Sequence, residues 1–176
     1  MKLNLGCGYT ILDGWVNLDY LDGQGVDVVH DLEKFPYPFK DNTFDKVLAS
    51  HIIEHLSNPD GLVRELWRIS KNGARIKIQT PHYSNGSIGW SDTTHKRLFS
   101  CISFYNFIGV RSYTLETSRP EHFIVRKTYI DFGRLHRMMG LQFLFNLSDK
   151  MRAIYECFFC YIFPARNMTF ILEVKK

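Results

Sequence analysis

The sequence predicts an α/β fold: a mostly parallel sheet in one domain, closed by an antiparallel strand near the C-terminus. Three observations predict it. Short β-branched runs alternate with turn signals through the first half of the chain. One well-capped helical pattern stands between the fourth and fifth of these runs, and strand-like text returns after a long polar stretch. A length of 176 residues with 45% hydrophobic and 23% charged residues suits one buried core and leaves no room for two ordinary domains.

The strands read from the sequence are Lys2 to Leu5, Val16 to Leu18, Val26 to His30, Lys46 to Ser50 and Arg75 to Thr80. Between the last two, Asn58-Pro59 supplies a cap and a first-turn proline, and Leu62, Val63, Leu66 and Ile69 repeat on one helical face. Asn72-Gly73 is expected to end that helix. Only Tyr9 to Trp15 separates the first two strands, too little for a full crossover helix, so the first helix is expected to be reduced. After Pro81 come a polar loop to Lys96, a helix from Phe99 to Ile108, and a hairpin pairing Val110 to Leu115 with Phe123 to Tyr129, together an insertion after the fifth strand. The last third reads as a helix from Asp131 to Met139 ended by Gly140, a strand Gln142 to Leu147, a helix Lys150 to Phe163 and a strand Thr169 to Val174.

A formal charge of +4 permits an anionic ligand without demanding one. The N-terminal residues lack a signal-peptide pattern and no apolar run reaches membrane-spanning length, which gives the expectation of a cytoplasmic protein. Four cysteines are too few and scattered for a disulfide scaffold. Cys157 and Cys160 form a lone CxxC with no second ligand pair, so two buried core thiols are expected and no metal. The aromatic segment Tyr155 to Phe163 is apolar almost all round; burial is the default reading, with a homodimer surface or a membrane-facing patch as alternatives.

Leu3-Asn4-Leu5-Gly6-Cys7-Gly8 runs a strand into a glycine turn, where missing side chains let a ligand approach the backbone. The second strand ends in Asp19, whose carboxylate can accept from both hydroxyls of a ribose. The third ends in His30-Asp31-Leu32, where a carboxylate can meet an adenine amino group and a leucine can cover the ring. The fourth ends in Ser50-His51, followed by Glu54-His55-Leu56. Four successive strand ends thus carry glycine or polar residues at the edge where doubly wound sheets bind ligands.

With these residues in place, the chain resembles the class I S-adenosylmethionine-dependent methyltransferases, especially the small methyltransferase type 11-like group. The matching text is LNLGCG at 3 to 8, NLD at 17 to 19, HDL at 30 to 32, YPFKDNTFDKV at 37 to 47 and SHIIEHL at 50 to 56, followed by the Arg64 to Ile69 helix. The resemblance implies a Rossmann-like three-layer sandwich with S-adenosylmethionine as cofactor. It divides the single domain into a cofactor-binding half at 1–81, an acceptor-side insertion at 82–130 and the remaining sheet at 131–176. It implies that Gly6 and Gly8, with Cys7 between them, pass under the methionine portion of the cofactor, that Asp19 holds the ribose, that Asp31 and Leu32 meet adenine, and that Ser50 and His51 line the methyl-transfer face. Asn4 stands where members often carry an acidic cofactor contact, and Thr10 where they often carry a third glycine.

Methyl transfer from a sulfonium requires alignment and exclusion of water, with a general base when the acceptor is a hydroxyl. His51, His82 and His95 are the candidates for that base. Tyr83, Trp90, Lys96 and Arg97 offer aromatic faces and cationic groups suited to a small-molecule or glycan acceptor, an anionic one included, with a solvated basic loop as the alternative reading. An NAD-dependent oxidoreductase is the weaker alternative, because Gly6 to Ile11 lacks the third glycine and no normal helix follows. A non-catalytic module binding S-adenosylmethionine or nucleic acid is the other. Nucleic acid as an acceptor is disfavoured by Ser50-His51-Ile52-Ile53, which stands where an aromatic-proline tetrad is expected.

Overall fold

The structure, a computed structural model, describes residues 1–87, 89–102, 105 and 122–176. Among the described residues seven strands form one sheet in the order β3-β2-β1-β4-β5-β7-β6. They are β1 (Lys2–Leu5), β2 (Val16–Asp19), β3 (Val28–Val29), β4 (Phe44–Ser50), β5 (Ser70–Pro81), β6 (Phe123–Phe132) and β7 (Ala165–Val174). Strands β1 to β5 pair in parallel, and β7 runs antiparallel between β5 and β6.

β1 is buried from Leu3 to Leu5 because it lies at the centre of the parallel half, between β2 and β4. Leu3, Leu5, Val47, Ala49, Ile76 and Ile78 from the three central strands share one core. Helix α1 (Pro59–Ile69) adds Leu62, Val63, Leu66 and Ile69 to it; Asn58 caps the helix by accepting from the Gly61 amide at 2.9 Å. The helix ends at Ile69 rather than at Asn72-Gly73, because β5 begins at Ser70, paired with Phe44. Gly73, with φ +76°, falls where the register of that pairing shifts.

On its other flank α1 carries a polar junction. Arg68 donates to both oxygens of Glu65 (2.8 and 2.6 Å), to Asp41 (2.7 Å) and to the carbonyls of Phe39 and Tyr37, while Glu65 also accepts from the Tyr37 amide at 2.7 Å. Burial opposes ionisation of Glu65, but the Arg68 and Tyr37 hydrogen bonds outweigh it and lower its pKa.

No helix stands between β1 and β2, as the short spacing implied. A polar lattice replaces it. Asn4 donates to the Thr10 carbonyl at 2.7 Å and to Asn17 Oδ1 at 3.0 Å; Asn17 Oδ1 accepts from the Leu12 amide, and its Nδ2 reaches the Leu12 and Trp15 carbonyls and Asp27. Two buried amides thus hold the loop backbone that a helix would otherwise have satisfied internally.

The C-terminal third departs from the expected elements. Phe123–Phe132 is a strand of the main sheet, in antiparallel register with β7 from Phe123↔Val174 to Phe132↔Ala165. Its expected hairpin partner, Val110 to Leu115, and half of the expected Phe99 to Ile108 helix lie outside the described residues; of the other half, Cys101, Ile102 and Tyr105 are helical. The helix expected from Asp131 begins only at Arg134, because β6 continues to Phe132; it is the short α2 (Arg134–Met138). Gln142 to Leu147 is not a strand. Gly140, at φ +76°, turns the chain into α3 (Leu141–Phe145), which buries Phe145 and sets Asn146 against the outer edge of β6.

α4 (Asp149–Ile154) begins at Ser148, whose side chain accepts from the Met151 amide, and continues as a π-helical turn over Tyr155–Phe159. The wider turn separates the two CxxC thiols: Cys160 is buried as expected, but Cys157 is exposed. Phe158, Tyr161 and Ile162 are exposed as well, so the segment is not the fully buried helix that its composition suggested. No helix among the described residues is long and apolar enough to cross a membrane.

Candidate functional site

The carboxyl ends of β1 to β5 share one edge of the sheet, and most of the expected residues gather there. Beyond β1 the chain turns at Gly6 (φ +65°) and Gly8 (φ +49°). A Cβ on Gly6 would lie 2.0 Å from Ile52 Cδ1, so the absent side chain lets the segment after β4 pack against the turn. A Cβ on Gly8 would meet nothing within 4 Å, which leaves the outer face of the turn open to a ligand. Cys7 is buried, with its amide on the Leu18 carbonyl at 3.0 Å; burial first, then the charge of Asp19, raises its thiol pKa.

Asp19 closes β2. Its Oδ2 accepts from the Gly8 amide at 2.7 Å and its Oδ1 from the Leu21 amide at 3.2 Å. A carboxylate has about four acceptor positions, so two amides leave room for ligand hydroxyls. Asp31 Oδ1 accepts from the Glu33 amide at 3.0 Å in a local turn, and Leu32 beside it is buried. Asn4 lies beneath the glycine turn, with its amide nitrogen engaged by the loop lattice.

β4 ends at Ser50, and His51 follows with φ +56° while its amide still bonds to Gln79 of β5 at 2.8 Å. A left-handed conformation is uncommon for a residue with a Cβ and marks a position held by its surroundings. His51 Nδ1 stands 3.2 Å from Glu54 Oε1; the histidine is 41% exposed and the glutamate wholly buried. Glu54 sits in a single 3-10 turn, Ile53–His55, and its Oε2 accepts from Thr80 of β5 at 3.0 Å.

The other two histidines occupy different surroundings. His82 has no exposed surface: Nδ1 meets Ser84 Oγ at 2.8 Å and Nε2 meets Glu156 Oε1 at 3.2 Å, inside a network that includes Tyr155 and the Ala165 amide. That burial does not suit a base facing an acceptor. His95 is mostly buried and donates from Nδ1 to the Gly89 carbonyl at 2.8 Å, with its ring 4.7 Å from that of His55.

The residues expected to bind an acceptor do not converge. Trp90 is 72% exposed. Lys96 donates to Glu33 Oε1 at 3.1 Å and to Ser57 Oγ at 2.5 Å, and Arg97 donates to the Ser57 carbonyl at 3.1 Å, so both fasten the loop after β5 to the segment after β4. Burial works against the charge on Glu33, but hydrogen bonds from Ser57, Lys96 and Asn58 prevail and lower its pKa. The Tyr83 hydroxyl is turned inward to the Glu156 carbonyl and Cys160, and burial pushes its pKa up.

The same edge holds two polar residues that the sequence did not single out. Asp131, near the end of β6, accepts from the Asn167 amide at 3.1 Å; burial raises its pKa against the charges of Arg166, Arg137 and His51. Asn167 Oδ1 is buried without a hydrogen-bond partner among the described residues. The sequence reading starts a helix at Asp131 and the last strand at Thr169, whereas β6 runs to Phe132 and β7 begins at Ala165, which puts both residues on strands.

Residues 17–78 match a family model described as Methyltransferase domain. A 50-residue segment is 44% identical to ajmaline N-methyltransferase of Rauvolfia serpentina, spanning 28% of this chain and 16% of that enzyme. Among solved structures, a SAM-dependent methyltransferase from Archaeoglobus fulgidus superposes with a TM-score of 0.62 at 17% identity, over 98% of this chain and 85% of that one. The [4+2]-cyclase SpnF superposes at 0.59 and 15% identity, over 99% and 74%. The second likeness shows that one fold carries different chemistries, so fold alone does not name a reaction. Residues 17–78 match a methyltransferase-domain model, and the seven-stranded sheet has the Rossmann-like α/β fold of the methyltransferase structures that it resembles.

Proposed function

We propose that this chain is an S-adenosylmethionine-dependent methyltransferase acting on a small-molecule or glycan acceptor, with residues 1–81 holding the cofactor. The observation that carries the reading is the hydrogen bond joining the open glycine turn at Gly8 to the carboxylate of Asp19, with His51 on the neighbouring strand end. These residues fit the cofactor: the outer face of Gly8 has no neighbour that a ligand would displace, and Asp19 retains acceptor capacity for the ribose hydroxyls. Leu32 would lie against the adenine, with Asp31 beside it and Ser50 near the reacting end.

When bound, the cofactor supplies a methyl group already activated by its sulfonium. The protein's share is position and proton handling. His51 is the base: its ring is partly exposed at the strand-end edge, its Nδ1 side faces Glu54, and Nε2 is left to take a proton from a hydroxyl or ammonium acceptor. The buried Glu54 carboxylate stabilises the imidazolium so formed, as the acidic partner of a catalytic histidine does elsewhere. Asp131 and Asn167 extend the polar edge towards β6 and would meet the acceptor.

Calorimetric titration with S-adenosylmethionine and S-adenosylhomocysteine, with NAD as control, tests the reading. Binding of the first two, weakened by Asp19→Ala, supports it. Binding of NAD alone indicates an oxidoreductase, and S-adenosylmethionine binding without methyl transfer across broad acceptor pools indicates a non-catalytic module.

A further inference from the structure

We propose that Glu54, His55 and His95 form a binding site for one divalent transition-metal ion of the zinc class. One ligand atom from each of the three residues lies within 4.8 Å of the other two. The set is two imidazoles and a carboxylate, a combination that zinc accepts in sites with an open fourth position. The proposal goes beyond methyl transfer, which needs no metal, and does not depend on it.

The surroundings fix the state of both imidazoles. Thr94 Oγ1 donates to Asp92 Oδ1 at 2.6 Å, and a carboxylate can only accept; the same hydroxyl, 2.9 Å from His55 Nδ1, therefore accepts from that nitrogen. His95 Nδ1 faces the Gly89 carbonyl at 2.8 Å, which again can only accept. Each ring thus carries a proton on Nδ1; His95 Nε2 has Asp92 Oδ2 at 3.8 Å, beyond hydrogen-bond distance, so the Nε2 atoms remain available as ligands. A carbonyl holding the far nitrogen, as Gly89 does for His95, is a usual arrangement around a metal-bound histidine, because it sets the tautomer and strengthens the ligand; at His55 the Thr94 hydroxyl, itself held by Asp92, takes that place.

Glu54 supplies the second observation. It is wholly buried, and its Oε1 accepts no hydrogen bond among the described residues. A buried carboxylate with an oxygen left over calls for a cation. The neighbouring cationic side chains do not provide it: Lys96 is drawn to Glu33 and Ser57, and Arg97 to Ser57. His51 faces the same oxygen at 3.2 Å without completing a hydrogen bond, and a carboxylate can serve both a histidine and a metal.

Metal–ligand bonds of 2.0–2.2 Å imply ligand atoms roughly 3.4 Å apart in a tetrahedral site, so an ion draws the three inward from their present spacing. His95 lies on the loop after β5, whose Lys96 amide already bonds to the Glu54 carbonyl at 2.8 Å. Binding therefore fastens that loop to the turn after β4.

Untagged protein, stripped with chelator, is titrated with cobalt(II) by visible absorption, followed by displacement with zinc. The expected result is one equivalent bound with tetrahedral absorption, a loss of at least about 100-fold in affinity in His95→Ala and His55→Ala, and a loss of about 10-fold in Thr94→Val, which retains all three ligands. Cys157→Ser, which removes the exposed thiol, binds like wild type. Thr94 is exposed, so that variant keeps the test decisive should a histidine variant fail to fold. Absence of saturable cobalt binding by wild type overturns the proposal, as does wild-type affinity in both His95→Ala and Thr94→Val. Because the readout involves no methyl transfer, its failure leaves the reading of the cofactor site untouched.

Discussion

The amide of Gly8 donates to Asp19 at 2.7 Å, so the turn after β1 and the carboxylate that ends β2 form one hydrogen-bonded unit. Removing the carboxylate costs a ligand its acceptor and also releases the turn. Hydrogen bonds to charged groups contribute about 1.5–3 kcal/mol. Asp19→Ala is therefore expected to weaken S-adenosylhomocysteine binding roughly 10- to 100-fold, and Asp19→Asn less, by calorimetry.

The two glycines of that turn separate folding from binding. Gly6→Ala drives a Cβ into Ile52 at a backbone angle that favours glycine, and it should lower stability by about 2–4 kcal/mol in urea denaturation. Gly8→Ala meets open space and carries only the backbone strain, about 1–2 kcal/mol. Its larger expected effect is on cofactor affinity.

His51→Ala should leave cofactor affinity within about threefold of wild type while reducing turnover by roughly 100-fold or more. Once an acceptor is in hand, single-turnover rates and calorimetry on the same preparation test this. Equal rates in the two proteins would remove His51 from the mechanism.

Asp131 makes stability depend on pH. Burial raises its carboxyl pKa, so the native state holds the proton more tightly than the unfolded chain does. Its contribution is thus fully present below the ordinary carboxylate value of about 3.9 and is lost as pH rises through the higher native value. Asp131→Asn retains an acceptor for the Asn167 amide and removes that loss. The variant should melt higher than wild type at pH 7, by about 2–4 °C for each kcal/mol gained, with the gap narrowing towards pH 4.

Arg68→Ala breaks the junction beneath α1 and strands Glu65, a largely buried carboxylate, without its cation. Removing one member of such a pair costs about 3 kcal/mol, measurable as a lower urea midpoint. Arg68→Ala combined with Glu65→Ala should recover part of it.

The parallel half was legible because its strands are apolar runs bounded by turn residues, and because α1 carries its cap and proline in sequence. The glycine turn, Asp19 and His51 were legible as strand ends. The C-terminal third was not: Gln142 to Leu147 is rich in Phe and Leu, a composition that suits a short buried strand or a helix equally, and Gly140 and the edge contact of Asn146 make it a helix. The cluster of Glu54, His55 and His95 escaped notice for a related reason. Glu54 and His55 share one turn, but His95 lies some forty residues on, on the loop after β5 that the Lys96 amide ties to the Glu54 carbonyl. The structural use of Lys96 and Arg97 was equally invisible, since their partners, Glu33 and Ser57, are distant in sequence.

The contact of Asn146 with β6 also limits how copies of this protein can meet. Its side-chain amide donates to the Ile130 carbonyl at 2.7 Å and its Oδ1 accepts from the Ile130 amide at 2.8 Å; Gln142 takes the Phe132 amide at 3.2 Å. These side chains imitate the backbone of an eighth strand at that stretch of the margin, where the peptide groups of Ile130 and the Phe132 amide are already taken and are not available to another chain. The apolar helical surface nearby, with Phe143, Phe158 and Tyr161 exposed, is left as the adhesive part of the molecule, so self-association would proceed through side chains rather than by sheet extension.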